Sequence, residues 1–355
     1  MRMTDRWQHD PTWGFPDWIL RGLGQVVFQN NPLSGAIILA GIAYNSWIYA
    51  TVCLFGAAIG TLTALLFKAD RALIKDGLFG FNGALVAIAL VAFTSTNFTT
   101  GTMPTWHLWL YIVTASAFSS ILVLTFGTLL GPHKVPGLTM PFVLTTWLVL
   151  GAMLQFSTIN VSLALKPTSP IDFTGPTPEY NWGTWWHGTT EGIAEIFFQD
   201  NWVTGLIIVL GIAVNTRIGA FMAVFGSALA VLVAVTYGAH DAAIRDGLFG
   251  YNAALTAMAL GGVFYVLTPM TFVYAIIGVL VTARAWASLG VFLEPSGMPV
   301  LTAAFVFVTS PMLLAKNGLA ALVAVPPAEA LTPEENLARY AANQNRQLTA
   351  RDNVG

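Results

Sequence analysis

The sequence predicts an all-α integral membrane protein built from two inverted, homologous repeats. Each repeat is expected to hold about five transmembrane helices and one re-entrant half-helix. Two observations carry this prediction. Of 355 residues, 55% are hydrophobic and only 9% are charged, against roughly a quarter charged in an ordinary soluble domain. A soluble fold so sparsely charged would expose apolar patches over its whole surface and aggregate. The second observation is internal repetition. Residues 21–45 align without gaps on 191–215, at an offset of 170, with eleven of 25 pairs identical. The same offset places ALIKDGLFGFNGAL (72–85) on AAIRDGLFGYNAAL (242–255), with ten of 14 identical. Leu138, Thr139 and Phe142 match Leu301, Thr302 and Phe305 at a slightly shorter offset.

The chain divides accordingly. Residues 1–16 form a polar N-terminal tail, without the apolar core of a signal peptide, so insertion is expected to use internal spans. The first membrane repeat covers 17–156, with apolar segments at roughly 17–31, 33–45, 47–67, 78–95, 106–130 and 138–156. A full span needs about 20 residues. The 17–31 segment is short, carries Arg21 and Gln25, and ends at Asn30-Asn31-Pro32. One short segment per half is therefore read as re-entrant, which is tolerable only where it lines a cavity in the protein. Which short segment plays that part is left open. About ten spans remain. Residues 157–190, rich in Thr, Pro, Asn and Trp, read as an extracytoplasmic linker, and 191–326 form the second repeat. From 327 to 355 the chain turns polar. Thr332-Pro333-Glu334-Glu335 has the signature of a helix start and predicts a short cytoplasmic surface helix with no chemistry.

An odd number of spans per repeat forces the second to insert upside down. With a cytoplasmic N-terminus, eleven of the 15 Lys and Arg residues face inward, and only Lys166, Arg245 and Arg284 face outward. Arg21 lies within a segment. The positive-inside rule agrees and places both termini in the cytoplasm.

Composition excludes several classes of function. A net charge of −2 carries no nucleic-acid signature. Cys53 is the single cysteine, and the five histidines are scattered without metal-ligand spacing. No nucleophile–base pair or phosphate-binding glycine loop is visible, so neither an enzyme nor an ATP-driven pump is expected, and no cofactor.

What recurs instead is a polar residue, an aromatic and an Asn-containing turn. The repeat pairs Gln25 with Glu195, Phe28 with Phe198, Phe81 with Tyr251, Leu85 with Leu255, and Thr139 with Thr302. Gln25 and Phe28 are three apart and share a helix face. An inverted two-fold would bring the sets together near the bilayer midplane. The result would be a narrow slot with oxygen acceptors on one side and flat apolar walls elsewhere. Stripping water from a solute costs a few kcal/mol per unsatisfied polar group, and the oxygens of Gln25, Glu195, Thr139 and Thr302 could replace those bonds for a small planar amide. Ions would regain little of their hydration.

Each residue also has a plainer reading. Thr139 and Thr302 can bond back to their own helices, and Asn82 and Asn252 are expected to satisfy backbone groups at a turn. The DGLFG glycines suit close packing. Glu195, an acid in an apolar segment, is a functional hypothesis by default. It can line the slot, carry a proton, pair with Arg21 or cap a re-entrant helix.

The paired DGLFGFN and DGLFGYN turns, the FQNNPLSG block with its FQDNWVTG partner, and LTMPF at 138–142 resemble the bacterial urea transporter family. The resemblance covers about 17–315. It implies ten spans with two re-entrant helices in the bacterial inner membrane, a homotrimer with one pore per subunit, and facilitated diffusion of urea without ion coupling. By matching motif it implies a filter of Gln25, Phe28, Leu85 and Thr139, mirrored by Glu195, Phe198, Leu255 and Thr302, with Phe81 and Tyr251 flanking the path. The sequence departs from the pattern at LTAAF (301–305), which lacks the proline, at the phenol of Tyr251, and at Glu191 opposite Arg21. The alternatives are a channel for another small neutral solute (a short-chain amide, ammonia or water) and a proton-coupled transporter using Glu195.

Overall fold

A computed structural model describes residues 7–94, 102–156, 158–159 and 179–352, with the side chains of 347–352 left aside. Most of the expected linker lies outside these residues. Among them the chain is helical, apart from one isolated antiparallel bridge between Tyr265 and Ala324.

Among the described residues the first half holds seven α-helices: α1 (Gly14–Gln25), α2 (Pro32–Asn45), α3 (Trp47–Leu66), α4 (Arg71–Lys75), α5 (Gly80–Ala92), α6 (Trp106–Leu130) and α7 (Met140–Gln155). The same order returns as α8 (Trp182–Ala194), α9 (Trp202–Ala213), α10 (Arg217–Thr236), α11 (Asp241–Arg245), α12 (Gly250–Met258), α13 (Pro269–Leu293) and α14 (Ala303–Leu314), followed by α15 (Pro333–Asp352). Helix α8 begins inside the stretch assigned to the linker, because Asn181 caps it through a reciprocal pair of bonds with Thr184. Likewise α1 begins at Gly14, within the stretch read as the N-terminal tail.

Among the described residues four helices are long and apolar enough to cross a membrane: α3, α6, α10 and α13, with α6 and α13 each continued by one three-residue 3-10 turn. The pair α8 and α9, bent by 71°, would make a fifth. This is fewer than the sequence expects, since several apolar helices are short. Helix α5 has 13 residues, about 20 Å at 1.5 Å per residue, too short for a hydrocarbon core of about 30 Å. Its residues from Asn82 to Val91 are all buried within the protein. The long helices α6 and α13 behave oppositely. They are apolar yet mostly uncovered by the rest of the chain, as helices facing lipid or another copy must be.

The two halves clasp each other through reciprocal contacts. Helix α2 packs on α9 with a glycine of each helix set against an isoleucine of the other: a side chain at Gly41 would meet Ile207, and one at Gly211 would meet Ile38. The amide of Asn45 donates to Gln199 at 3.0 Å, and the amide of Asn215 donates to Gln29 at 2.8 Å. Since Asn45 corresponds to Asn215 and Gln29 to Gln199, the two bonds are one interaction made twice.

Within each half, the DGLFG glycine allows the short helix to approach the first one. Gly77 and Gly247 lie at φ +76° and +74°, a region that costs other residues roughly 1–2 kcal/mol. A Cβ on Gly77 would strike the backbone of Arg21 and Gly22, and one on Gly247 that of Glu191 and Gly192. These are packing positions, as the sequence suggested. Gly247→Ala is expected to destabilise the protein by about 2–4 kcal/mol, combining the backbone cost with overpacking. Thermal unfolding in detergent measures it, and an unchanged midpoint would show that the close approach is not needed.

Candidate functional site

The segments that end α1 and α8 share an unusual pattern of burial. From Arg21 to Gln29 every residue is buried except Gln25 and Phe28, and from Glu191 to Gln199 every residue is buried except Glu195 and Phe198. Four side chains paired by the repeat thus keep accessible surface deep in the chain. The ladder also breaks at the same point in both halves. Phe28 and Phe198 occupy the left-handed region at φ +63° and +58°, an uncommon conformation for a bulky residue. Such strain, on the order of 1–3 kcal/mol each, clusters where function demands a particular side-chain direction.

The direction gained is toward the opposite half. The Phe28 ring meets Phe264 and Phe305 edge-to-face, with centroids 5.8 and 6.2 Å apart. The Phe198 ring meets Phe93 and Phe142 at the same 5.8 and 6.2 Å. Each aromatic of one half is clamped by two from the other. Edge-to-face pairs are worth about 0.5–1.5 kcal/mol beyond their buried area, which offsets much of the backbone cost.

Gln25 is held by its amide nitrogen, which donates to the carbonyl of Asp76 at 2.9 Å. Its amide oxygen is therefore the end left to accept. Asp76 is fixed in turn: its carboxylate accepts from Asn30 at 3.0 Å and Gln8 at 3.1 Å. In the second half Glu195 and Asp200 replace Gln25 and Asn30 while Asp246 matches Asp76, so that side carries three acids where the first carries one acid and two amides.

The flanking acidic and basic residues are paired inside each helix. Arg21 donates to Asp17 at 2.7 Å and to the side chain of Asn30 at 2.8 Å. Glu191 pairs with His187 at 2.7 Å. Asp17 and His187 are repeat partners, as are Arg21 and Glu191. The asymmetry between Arg21 and Glu191 is thus a whole i,i+4 pair with its acidic and basic residues exchanged, and Arg21 needs no help from Glu195.

Thr139 and Thr302 meet directly. Their hydroxyls lie 2.6 Å apart in one hydrogen bond, both residues being 3% exposed. Equivalent residues touching each other mark the line where the halves meet. The pair uses one donor and one acceptor, leaving oxygen lone pairs to receive further bonds. Each threonine follows a leucine in the left-handed region, Leu138 at φ +50° and Leu301 at +53°. The missing proline in LTAAF therefore does not displace Thr302 from its partner.

The remaining expected residues are placed as follows. Leu85 and Leu255 are completely buried, part of the core rather than an open wall. Phe81 is partly accessible, while Tyr251 is buried, donates to the carbonyl of Leu301 at 2.6 Å and accepts from Trp286 at 3.1 Å. The phenol that departs from the pattern is spent on holding the backbone just before Thr302. Asn82 and Asn252 accept from the N–H of Phe142 and Phe305 at 3.1 and 2.9 Å, and so anchor α7 and α14.

Phe93 and Phe264 escape a reading of the sequence at constant offset. The chain from Ala259 to Val263 makes a π-helical turn after α12, which adds one residue to the helix. Phe264 thereby stands at an offset of 171 from Phe93, not 170. Among the described residues no group of three or more His, Cys, Asp or Glu is arranged to hold a metal ion.

Comparison with known proteins follows the same lines. The family model described as "Urea transporter" matches residues 16–317. The chain is similar to urea transporter 1 of Rattus norvegicus, 31% identical over 344 residues, covering 94% of this chain and 85% of that protein. The Mus musculus and Ovis aries proteins of the same name are each 30% identical, over 346 and 341 residues, with the same coverage of both chains.

Proposed function

Since the chain belongs to the urea transporter family, we propose that it is a passive channel for urea, working by facilitated diffusion rather than by chemical turnover. The observation that carries the mechanism is the matched pattern at Gln25 and Phe28 and at Glu195 and Phe198: accessible polar and aromatic side chains in otherwise buried segments. An oxygen three residues from an aromatic wall suits a flat solute with several N–H donors and apolar faces. Urea loses water on entering the slot and regains bonds from Gln25, Glu195 and the Thr139–Thr302 pair. Its faces slide past Phe28 and Phe198, with Leu85 and Leu255 giving way behind them. Phe81 flanks the path, and Tyr251 supports it through the backbone of Leu301.

The wider architecture belongs to the same reading. The halves insert with opposite orientation, about five spans and one re-entrant helix each. The short α5, buried from Asn82 to Val91, and the wholly buried α12 are the best candidates for the re-entrant pieces, because backbone that does not cross must be covered by protein. Both termini are cytoplasmic, as the distribution of basic residues supports. The molecule works as a homotrimer in a bacterial inner membrane, with the uncovered apolar faces of α6 and α13 available to lipid or neighbouring subunits.

Stopped-flow urea flux into proteoliposomes, with and without an imposed pH gradient, tests this. Rapid flux indifferent to the gradient is expected, and its absence from folded, inserted protein would refute the assignment. Glu195→Gln should keep most of the flux, because its counterpart Gln25 already serves the same position without a titratable group. Complete loss of flux in folded Glu195→Gln, or wild-type flux that follows the gradient, would make Glu195 a proton-coupling residue instead.

A further inference from the structure

The family match ends at residue 317, and the sequence assigns no chemistry to the polar tail from 327 onward. Yet residues past the end of the match bond to the backbone on both sides of Phe264. After α12 the helix is broken, with Gly261 and Gly262 outside helical geometry, so carbonyls there leave the intrahelical ladder. The buried side chain of Asn336 supplies the missing donors. Its amide nitrogen donates to Gly262 at 3.0 Å and to Val263 at 3.3 Å, while its oxygen accepts from Leu331 at 3.3 Å. The next residue is Phe264, whose ring lies against Phe28. The backbone on either side of that ring is also tied to the tail: Val325 donates to the carbonyl of Phe264, and Val266 donates to Val323, both at 2.9 Å.

The tail has its own anchorage. Thr332 and Glu335 cap the start of α15 reciprocally. Glu334 accepts from the hydroxyl of Thr216 at 2.6 Å and the N–H of Ile218 at 2.9 Å, at the N-terminus of α10. Burial tends to raise the Glu334 carboxyl, but these bonds outweigh it and hold it below the usual range. In the first half the end of α5 is closed locally instead, by the hydroxyl of Thr94 on the carbonyl of Leu90 at 2.6 Å.

We propose that Asn336 is a positioning residue for solute selectivity: by capping the broken end of α12 it sets Phe264 against Phe28, so the C-terminal segment fixes the width of one end of the slot. The inference rests on the channel reading above. A buried amide joining three backbone groups of two segments is costly to leave unsatisfied, which makes it a firm brace. Phe264 is in edge-to-face contact with Phe28, so a shift of its ring by a fraction of an ångström re-aims the Phe28 ring past which the solute slides.

The test compares permeability to urea and to the bulkier, still planar 1,3-dimethylurea in proteoliposomes holding full-length protein. Asn336→Ala should keep urea flux while lowering discrimination against dimethylurea by about threefold, in the range of coupling between residues in contact. Phe264→Ala should lower it as well, and adding Asn336→Ala to Phe264→Ala should change nothing further. Unaltered discrimination in Asn336→Ala, or effects that multiply independently, would overturn the proposal. Should Asn336→Ala not purify as folded protein, Asn336→Ser, which can serve one carbonyl but not two, is judged by the same criteria. A wild-type protein that carries no urea would instead refute the channel itself, whereas a conducting protein whose discrimination ignores Asn336 refutes only the brace.

Discussion

Phe28→Ala is expected to turn a selective slot into a permissive one, with discrimination between urea and bulkier analogues falling about tenfold, the equivalent of roughly 1.4 kcal/mol in relative barrier height. The side chain stands in the left-handed region, so nothing next to it in sequence rotates in to replace the ring. Phe264 and Phe305 lose their edge-to-face partner together. Alanine also relieves little strain, since it too is disfavoured at positive φ. The cost to stability should stay below the 3–5 kcal/mol of a fully buried Phe→Ala change, because Phe28 is only partly buried. Comparing stopped-flow rates for urea, methylurea and dimethylurea would show the effect. Unchanged ratios in folded protein would remove Phe28 from the filter. Phe198→Ala should act in the same way, because its clamp by Phe93 and Phe142 has the same spacings.

Much of this geometry was legible in the sequence because duplication wrote it twice. Gln25 and Phe28 stand out only when laid over Glu195 and Phe198. That comparison survives any uncertainty about where a helix begins. What the repeat could not reveal was anything depending on a local change of backbone. Left-handed residues at Phe28, Phe198, Leu138 and Leu301 run against intrinsic preference and are imposed by packing between distant segments. A π-helical turn shifts the register by one and hides Phe264 from Phe93. The reversed pairs Asp17–Arg21 and His187–Glu191 were concealed for another reason: acid and base exchange places within the pair, so neither residue matches its counterpart in identity. Thr139 and Thr302 were read as alternatives, lining a pore or bonding to their own helices, and the structure bonds them to each other. The tail read as inert because capping looks the same whether a helix lies free on a surface or braces a neighbouring element.

The second large effect expected is on stability, and it should differ between halves. Asn252 serves two backbone groups: its oxygen accepts from the N–H of Phe305 at 2.9 Å, and its nitrogen donates to the carbonyl of Leu301 at 3.0 Å. Asn82 accepts from Phe142 at 3.1 Å, but its nitrogen is buried without a hydrogen-bond partner among the described residues. Replacing each by the near-isosteric leucine therefore does different things. Asn252→Leu orphans the Phe305 N–H and weakens the hold on Leu301, leaving that carbonyl to Tyr251 alone. At about 1–3 kcal/mol for an unsatisfied buried group, the loss should reach roughly 2–3 kcal/mol. Asn82→Leu orphans one N–H too, yet it also removes a buried donor that had nothing to bind, so the two terms oppose and the net change should be about 1 kcal/mol or less. Thermal unfolding of the two purified variants decides the matter. Equal losses would mean that the asparagines act through packing volume. A larger loss for Asn252→Leu would show that the second half holds its threonine by hydrogen bonds, at the point where Leu301 leaves the helical region to bring Thr302 to Thr139.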